Sequence, residues 1–379
     1  MGRRRGALEE MVAASFWRGR RVFLTGHTGF KGAWLALWLT ELGAEVTGYS
    51  LPAPTSPSLF ELAGVQSLLR HIDGDVRDEG ALAVAMAEAR PEVVMHLAAQ
   101  SLVRASYEDP AATYATNVMG TVNLLEAVRG VRSVRAVVCV TSDKCYENRE
   151  SERAYRECDA MGGYDPYSSS KGCSELVVSA YRRSFFHPGE IAAHGVGVAS
   201  GRAGNVIGGG DWAKDRLVPD VMAAFAAGER PRIRHPAAIR PWQHVLEPLF
   251  GYMLLAEGLW RGEAAAAEGW NFGPDEEDAR PVGWIADRLA DLWGEGAGWD
   301  LTGGAQPHEA AYLRLDCAKA RQRLGWRPTW PLDEALRQTV DWYRTWARGG
   351  DVAELTRRQI GQYRPSAVSS GAPASGEAQ

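Results

Sequence analysis

Short apolar runs and longer stretches of helical period alternate along the first two hundred residues. Val22–Leu24 is apolar and β-prone, and Ala33–Leu42 is apolar at helical spacing. Glu45–Tyr49 reads as a strand, as does Val93–Leu97, which ends in the small pair Ala98–Ala99. Ala81–Ala89 and Thr116–Val128 carry helical spacing. Ala136–Thr141, AVVCVT, is a continuous apolar run and the fifth expected strand. Such runs suit a sheet covered on both faces. The alternation predicts an α/β fold of βαβ units around a doubly wound parallel sheet. From about residue 200 the pattern loosens, punctuated by Gly208–Gly210, Pro219, Pro231, Pro236 and Pro241. The expected division is an extension over 1–18, a first domain over 19–200 and a smaller α/β domain over 201–363. The smaller domain is expected to interleave with the last sheet strands. Residues 364–379 are rich in Ser, Ala, Gly and Pro and read as a disordered tail.

Composition narrows the function classes. The chain has 379 residues, 45 % of them hydrophobic, enough for a large core. The net charge of −5, with acids and bases interspersed, argues against binding nucleic acid through bulk charge. Arg3, Arg4 and Arg5 read as a solvated basic tail. No apolar run is long enough to span a membrane, and the first residues lack the apolar stretch of a secretory signal. The five cysteines form no C-x-x-C pair, and the histidines show no metal-binding spacing. The expectation is a cytoplasmic chain with reduced thiols and no metal.

Gly26, Gly29 and Gly32 form G-x-x-G-x-x-G between the first strand and the first helix. In that context glycines permit a tight strand exit, close approach of a pyrophosphate and close helix–sheet packing. The helix start offers free N–H groups and a partial positive charge to phosphate, and His27 and Lys31 stand ready to add charge. Asp75 and Val76, in GDVRD, follow a presumed strand and suit the capping of an adenine. His96–Gln100 ends another strand in small residues, against which a cofactor can lie. The second strand ends in GYSLPAP, without the acid that reads a ribose 2′-hydroxyl or an Arg for a 2′-phosphate. This position therefore leaves NAD and NADP both open.

Two stretches carry acid–base chemistry. In YDPYSSSK, Tyr167 and Lys171 are four residues apart and share a helix face. An ammonium beside a phenol favours the phenolate, which a tyrosine base needs. In TSDKCY, after the fifth strand, a hydroxyl, a carboxyl and an ammonium emerge together. Ligands of such sheets bind at the carboxyl ends of their strands.

With TGHTGFKGAWL, HLAAQSLVRASYEDP, NVMGT, TSDKCYEN, YSSSKGCSE, RAGNVIGGGDWAKDRLVPD and RPWQHVLEPLFGYM, the chain resembles the extended short-chain dehydrogenase/reductases. Within them it is similar to the CDP-glucose 4,6-dehydratases. The resemblance extends from Gly19 to about Arg344. It implies a Rossmann-type fold, bound NAD, a nucleotide-sugar substrate (CDP-glucose), a homo-oligomer of at least two subunits and a place in deoxysugar biosynthesis such as that of lipopolysaccharide. It implies a catalytic set of Ser142, Asp143, Lys144, Tyr167 and Lys171. Tyr167 would be the base for the sugar 4-hydroxyl and Asp143 the acid for the departing 6-hydroxyl. Ser142 would polarise the 4-oxygen, with Thr141 a one-residue alternative. Related dTDP-glucose enzymes carry Asp-Glu where this chain has Asp143-Lys144, which leaves the base for the C5 proton open between Lys144 and another group. The cofactor would meet Gly26, His27, Thr28, Gly29, Phe30, Lys31, Gly32, Asp75, Val76, Leu97, Ala98, Ala99, Gln100, Asn117, Tyr167 and Lys171. Ser101, Arg104, Asn205, Arg216 and Arg240 would hold the nucleotide sugar, the arginines by bidentate bonds to phosphate. The helices beginning near Tyr107 and Tyr167 would pair subunits. A GDP- or dTDP-sugar dehydratase, a 4-epimerase and a non-catalytic NAD sensor are the alternative readings.

Overall fold

The structure, a computed structural model, describes residues 14–149, 153–302 and 313–365. The expectations for Arg3–Arg5 and for the tail beyond Pro365 lie outside the described residues. The strands are β1 (Arg21–Thr25), β2 (Glu45–Ser50), β3 (Arg70–Asp73), β4 (Val93–His96), β5 (Ala136–Val140), β6 (Gly197–Ala203), β7 (Asn205–Ile207), β8 (Arg232–Ile233), β9 (Ile239–His244), β10 (Gly269–Phe272), β11 (Ala279–Pro281) and β12 (Asp300–Leu301). The main helices are α1 (Phe30–Glu41), α2 (Glu79–Ala89), α3 (Gly120–Arg129), α4 (Pro166–Ser184), α5 (Leu217–Ala226), α6 (Leu246–Trp260), α7 (Val282–Trp293), α8 (Leu332–Ala347) and α9 (Val352–Gln362).

Seven strands form one sheet in the order β10-β6-β5-β4-β1-β2-β3, with every pairing parallel. The apolar strand runs have a direct cause. Val22, Leu24, Val93, Met95, Ala136, Val138 and Val140 join one core, on the face of α1 and α6. Their neighbours Phe23, Val94, Val137 and Cys139 join a second core with Leu82 and Met86 of α2 and Leu124 and Leu125 of α3. Alternate side chains go to opposite faces, and both faces are covered, so the middle positions of these strands are apolar, and polar side chains such as Thr25 and His96 come at the strand ends. The strand order reverses between β1 and β4, which opens a crevice at their carboxyl ends.

The last strand of this sheet, β10, pairs with β6 only after the chain has left to build other sheets. One is β11-β9-β7, antiparallel between β11 and β9 and parallel between β7 and β9; the other is the pair β12-β8. Element boundaries differ from the sequence reading by a few residues. Helix α2 begins at Glu79, two residues before Ala81, because the Asp78 carboxylate caps the Ala81 N–H at 2.9 Å. The stretch expected as one helix over Thr116–Val128 opens with a wide π-turn, Ala115–Met119, before α3. Residues 14–18 belong to the body rather than to an extension: Ala14–Trp17 is a short helix, and the Trp17 indole is fully buried, donating to Glu257 Oε1 at 3.0 Å.

Candidate active site

The three glycines of the first turn have distinct tasks. Gly26 has φ +77°, and a Cβ there would lie 2.6 Å from the Ala98 nitrogen. A Cβ at Gly32 would lie 2.0 Å from the Gly26 carbonyl oxygen, so only glycine lets α1 sit on this turn. At Gly29, the N-cap of α1, a Cβ would meet nothing nearer than 3.5 Å. The protein itself does not need glycine there, and the bare backbone suits an external group brought close to the helix start. Thr28 ties the turn to the end of β2, sharing a hydrogen bond with Ser50 at 2.8 Å and donating to the Leu51 carbonyl at 2.9 Å. Phe30 is half-buried beside it.

The charge expected of His27 is not delivered. Its ring is buried against Gly48 and bonded to His71 at 2.7 Å. Burial, reinforced by His71, pushes it down to about 4, so it is neutral near pH 7. Lys31 has the charged groups of the crevice, Arg216, Asp143, Lys171 and Asp211, as its electrostatic neighbours. Burial and then Arg216 bring it down to about 8.

Around the crevice the other expected residues divide into those that face it and those that shape it. The Thr25 hydroxyl accepts from the Leu97 and Ala98 N–H groups at 3.2 Å each, which sets the loop from Leu97 through Ala99. Asn117, on the π-turn, accepts from the Gln100 N–H at 2.8 Å and donates to the Gln100 carbonyl and the Ser170 hydroxyl. It is buried, and its amide is engaged inside the protein, so it clasps this loop to α4 rather than reaching outward. Asp75 is committed to a forked ion pair with Arg77, at 2.5 and 2.8 Å, and Val76 is buried beside Gly120. Arg216 pairs with Asp211 at 2.9 Å and donates to Ser101 at 3.0 Å. Arg104 pairs with Asp215 at 2.7 Å, and Arg234 approaches the same carboxylate at 3.7 Å. Asn205 and Arg240 are half-buried at the starts of β7 and β9.

At the end of β5 the chain enters a one-turn 3₁₀ helix, Asp143–Cys145, capped by the Ser142 hydroxyl, which accepts from the Lys144 N–H at 3.2 Å. The same hydroxyl donates to Asp143 Oδ1 at 3.1 Å and shares a hydrogen bond with the Tyr167 phenol. Thr141 turns the other way and donates to Glu175 in the core. Ser142, not Thr141, therefore faces the tyrosine. Burial pushes Tyr167 up to about 12, against the pull of the Ser142 bond and the Arg216 guanidinium. Burial also raises Asp143, against the pull of Lys144 and Ser142. Asp143 is 2 % exposed, and its Oδ2 has no hydrogen-bond partner. Lys144 is half-buried on the same turn. Lys171 donates to the Val140 carbonyl at 3.4 Å, and burial lowers it to about 8 against the pull of Glu175. The arrangement brings a phenol, a hydroxyl and a carboxyl raised by burial together at the end of β5.

Sequence reasoning missed three parts of this site. Gly204 leaves room for the acid, since a Cβ there would lie 2.8 Å from Asp143 Oδ2. Asp215 gathers Arg104 and Arg234 from a backbone at φ +62°. Glu175 lies beneath Lys171, and the four-residue spacing that links Tyr167 to Lys171 could have exposed it. Among the described residues no cluster of three or more His, Cys, Asp or Glu is suited to a metal ion, and no helix is long and apolar enough to cross a membrane.

Residues 23–259 match the family described as GDP-mannose 4,6 dehydratase. The chain is 57 % identical over 353 residues to the CDP-glucose 4,6-dehydratase of Salmonella typhimurium, covering 93 % of this chain and 98 % of that one. It is 30 % identical to a dTDP-glucose 4,6-dehydratase of Streptomyces antibioticus, over 85 % of this chain and 92 % of the other. Among solved structures, a UDP-glucose 4-epimerase of Thermotoga maritima with UDP-glucose superposes with a TM-score of 0.74 at 21 % identity, covering 86 % of this chain and 98 % of that one. A dTDP-glucose 4,6-dehydratase of Bacillus anthracis in complex with NAD gives 0.70 at 20 % identity, over 86 % and 97 %.

Proposed function

The chain belongs to the GDP-mannose 4,6 dehydratase family, and from that premise we propose that it converts CDP-glucose into CDP-4-keto-6-deoxyglucose and water. It is an NAD-dependent hydro-lyase. The observation that carries the reading is Asp143: a buried carboxyl, raised by burial, with one unpartnered oxygen beside the Ser142–Tyr167 pair. An epimerisation at C4 needs no such acid, whereas loss of a hydroxyl does.

The residues present fit NAD. The open backbone at Gly29 and the N–H groups at the start of α1 would hold its diphosphate, and the Leu97–Ala99 backbone would flank it. When bound, NAD supplies the oxidant for C4 of the sugar and returns the same hydride to C6. Tyr167 takes the proton of the 4-hydroxyl, helped by the Ser142 bond and by the Arg216 guanidinium. The resulting ketone acidifies the C5 proton, whose removal we assign to Lys144; a proton returns to C5 as the hydride reaches C6, so that water is the only net loss. Asp143, whose pKa burial raises, would deliver the proton to the departing 6-hydroxyl. Arg104 and Arg234, gathered on Asp215, with Arg216 and Arg240, would hold the diphosphate. The enzyme would act in the cytoplasm, in deoxysugar biosynthesis such as that of lipopolysaccharide. Exposed Tyr107, Tyr114 and Leu176, on the helices before the π-turn and on α4, support a subunit contact there.

Proton NMR of the purified protein with CDP-glucose tests the reading. A new 6-methyl doublet is the expected result. An axial 4-hydroxyl sugar would replace dehydration by epimerisation, and an unchanged spectrum would leave only binding.

A further inference from the structure

Beneath the catalytic residues lies a buried polar network that the reaction above does not use. The Glu175 carboxylate, on α4 one turn past Lys171, accepts from the Thr141 hydroxyl through one oxygen. Its other oxygen accepts from the Ser200 hydroxyl and Arg202 Nη2, each at 2.7 Å. Arg202 in turn donates to the Tyr146 hydroxyl at 2.7 Å, and Tyr146 donates to Asn271 Oδ1 at 2.7 Å. Glu175 is 4 % exposed and Arg202 likewise. Strands β5, β6 and β10 and the turn after β5 are thus tied to one carboxylate.

We propose that Glu175 is a positioning residue for the reaction: through Thr141 it fixes the turn bearing Ser142, Asp143 and Lys144, and it sets a buried carboxylate one helical turn from Lys171. A core that needed only packing would be served by an apolar residue here at lower desolvation cost. Thr141 immediately precedes the catalytic turn, so a shift at its hydroxyl moves Ser142 directly. The groups facing Lys171 are Glu175 on its own helix, Cys139 on β5, Cys145 on the following turn, His96 on β4 and Lys31 on α1. Burial holds both thiols and the imidazole uncharged, and Lys31 is itself basic. Of these, only Glu175 offers Lys171 a negative charge.

The inference rests on the dehydratase reading, but its first readout needs no substrate. Full-length protein carrying ¹³Cε-lysine is titrated by NMR, with the Lys171 signal assigned from Lys171→Met. In Glu175→Gln the Lys171 midpoint should fall by about one pH unit or more. kcat with CDP-glucose at pH 8 should drop about tenfold or more, with KM within about threefold. Glu175→Gln leaves the Arg202 guanidinium uncompensated, so Glu175→Gln with Arg202→Met is measured beside it. Thr141→Val should lower kcat and leave the Lys171 midpoint in place, and Glu175→Asp should restore the midpoint. An unmoved midpoint in either charge-removing variant, or wild-type kcat in them, overturns the proposal. Should neither fold, wild-type kcat in Thr141→Val, or a fallen Lys171 midpoint in Glu175→Asp, overturns it. Wild-type protein that leaves CDP-glucose unchanged would sink the dehydratase reading alone, since the titration stands without it.

Discussion

At the end of β1 the crevice is lined by backbone; at the end of β5, two strands away in the same sheet, it is lined by side chains. The first wall is a turn whose glycines are set by contacts within ten residues of sequence and with the loop after β4. The second draws Ser142 and Asp143 from one turn, Tyr167 and Lys171 from α4, and room for the acid from Gly204. Beneath it, charge is balanced by Glu175, also from α4, and by Arg202 from β6. A wall made of backbone tolerates changes that keep its shape. A wall made of titrating side chains depends on every charge around it.

The largest effects should fall on the side-chain wall, and without loss of fold. Tyr167→Phe removes one hydroxyl and should cut turnover by about 10²–10⁴, read as the rate of keto-sugar formation. Turnover within tenfold of wild type would take the base away from Tyr167. Asp143→Asn should separate the steps. Bound NAD should still be reduced on mixing with CDP-glucose, seen as absorbance of NADH, while keto-deoxy product forms at least about a hundredfold more slowly. Elimination at the wild-type rate would give the proton donor's place to another group.

The backbone wall should break differently. Gly32→Ala places a methyl against the Gly26 carbonyl and should cost about 3 kcal/mol of stability, visible as a lower Tm before any assay. Acid should weaken the same wall. His27 is held down at about 4 against an ordinary 6.5, so the unfolded chain takes up its proton first. Its contribution is complete above pH 6.5 and is lost as the pH falls toward 4, by up to about 3 kcal/mol. His27→Gln should flatten the fall in Tm between pH 7 and 4.5, and an unchanged slope would show that the imidazole is not the sensor. The smallest effect is expected at Gly29→Ala. The new methyl meets only ordinary contacts, so Tm should stay while NAD affinity drops about tenfold, a cost of about 1.4 kcal/mol. Equal affinity would mean that no phosphate approaches this backbone.

The same contrast explains what was legible in the sequence. Strand β1 was expected over Val22–Leu24 and spans Arg21–Thr25, and β5 was expected over Ala136–Thr141 and spans Ala136–Val140. Two-sided burial writes such strands as unbroken apolar runs, and a glycine turn writes its spacing directly. The charge state of His27 was not legible, because it depends on Gly48 and His71, which come near only in the fold. Neither was Gly204, whose φ is unremarkable and whose lack of a side chain makes room for a carboxylate sixty-one residues earlier and for Pro241 on β9. Arg202 gave no signal either, since it stands alone in an otherwise apolar and small strand, GVASGRA.

The late arrival of β10 has a consequence for synthesis. Strand β6 is buried along its whole length, and its outer partner is Gly269–Phe272. The ribosome must therefore make the 65 residues from Gly204 to Glu268 before that edge can close. At about 5–20 residues per second the edge waits roughly 3–13 s. During that interval the outer edge of β6 is unpaired and open to the wrong neighbour. Nascent chains stalled between Gly204 and Glu268 should consequently be the ones that chaperones hold longest, and release should follow once Phe272 has emerged.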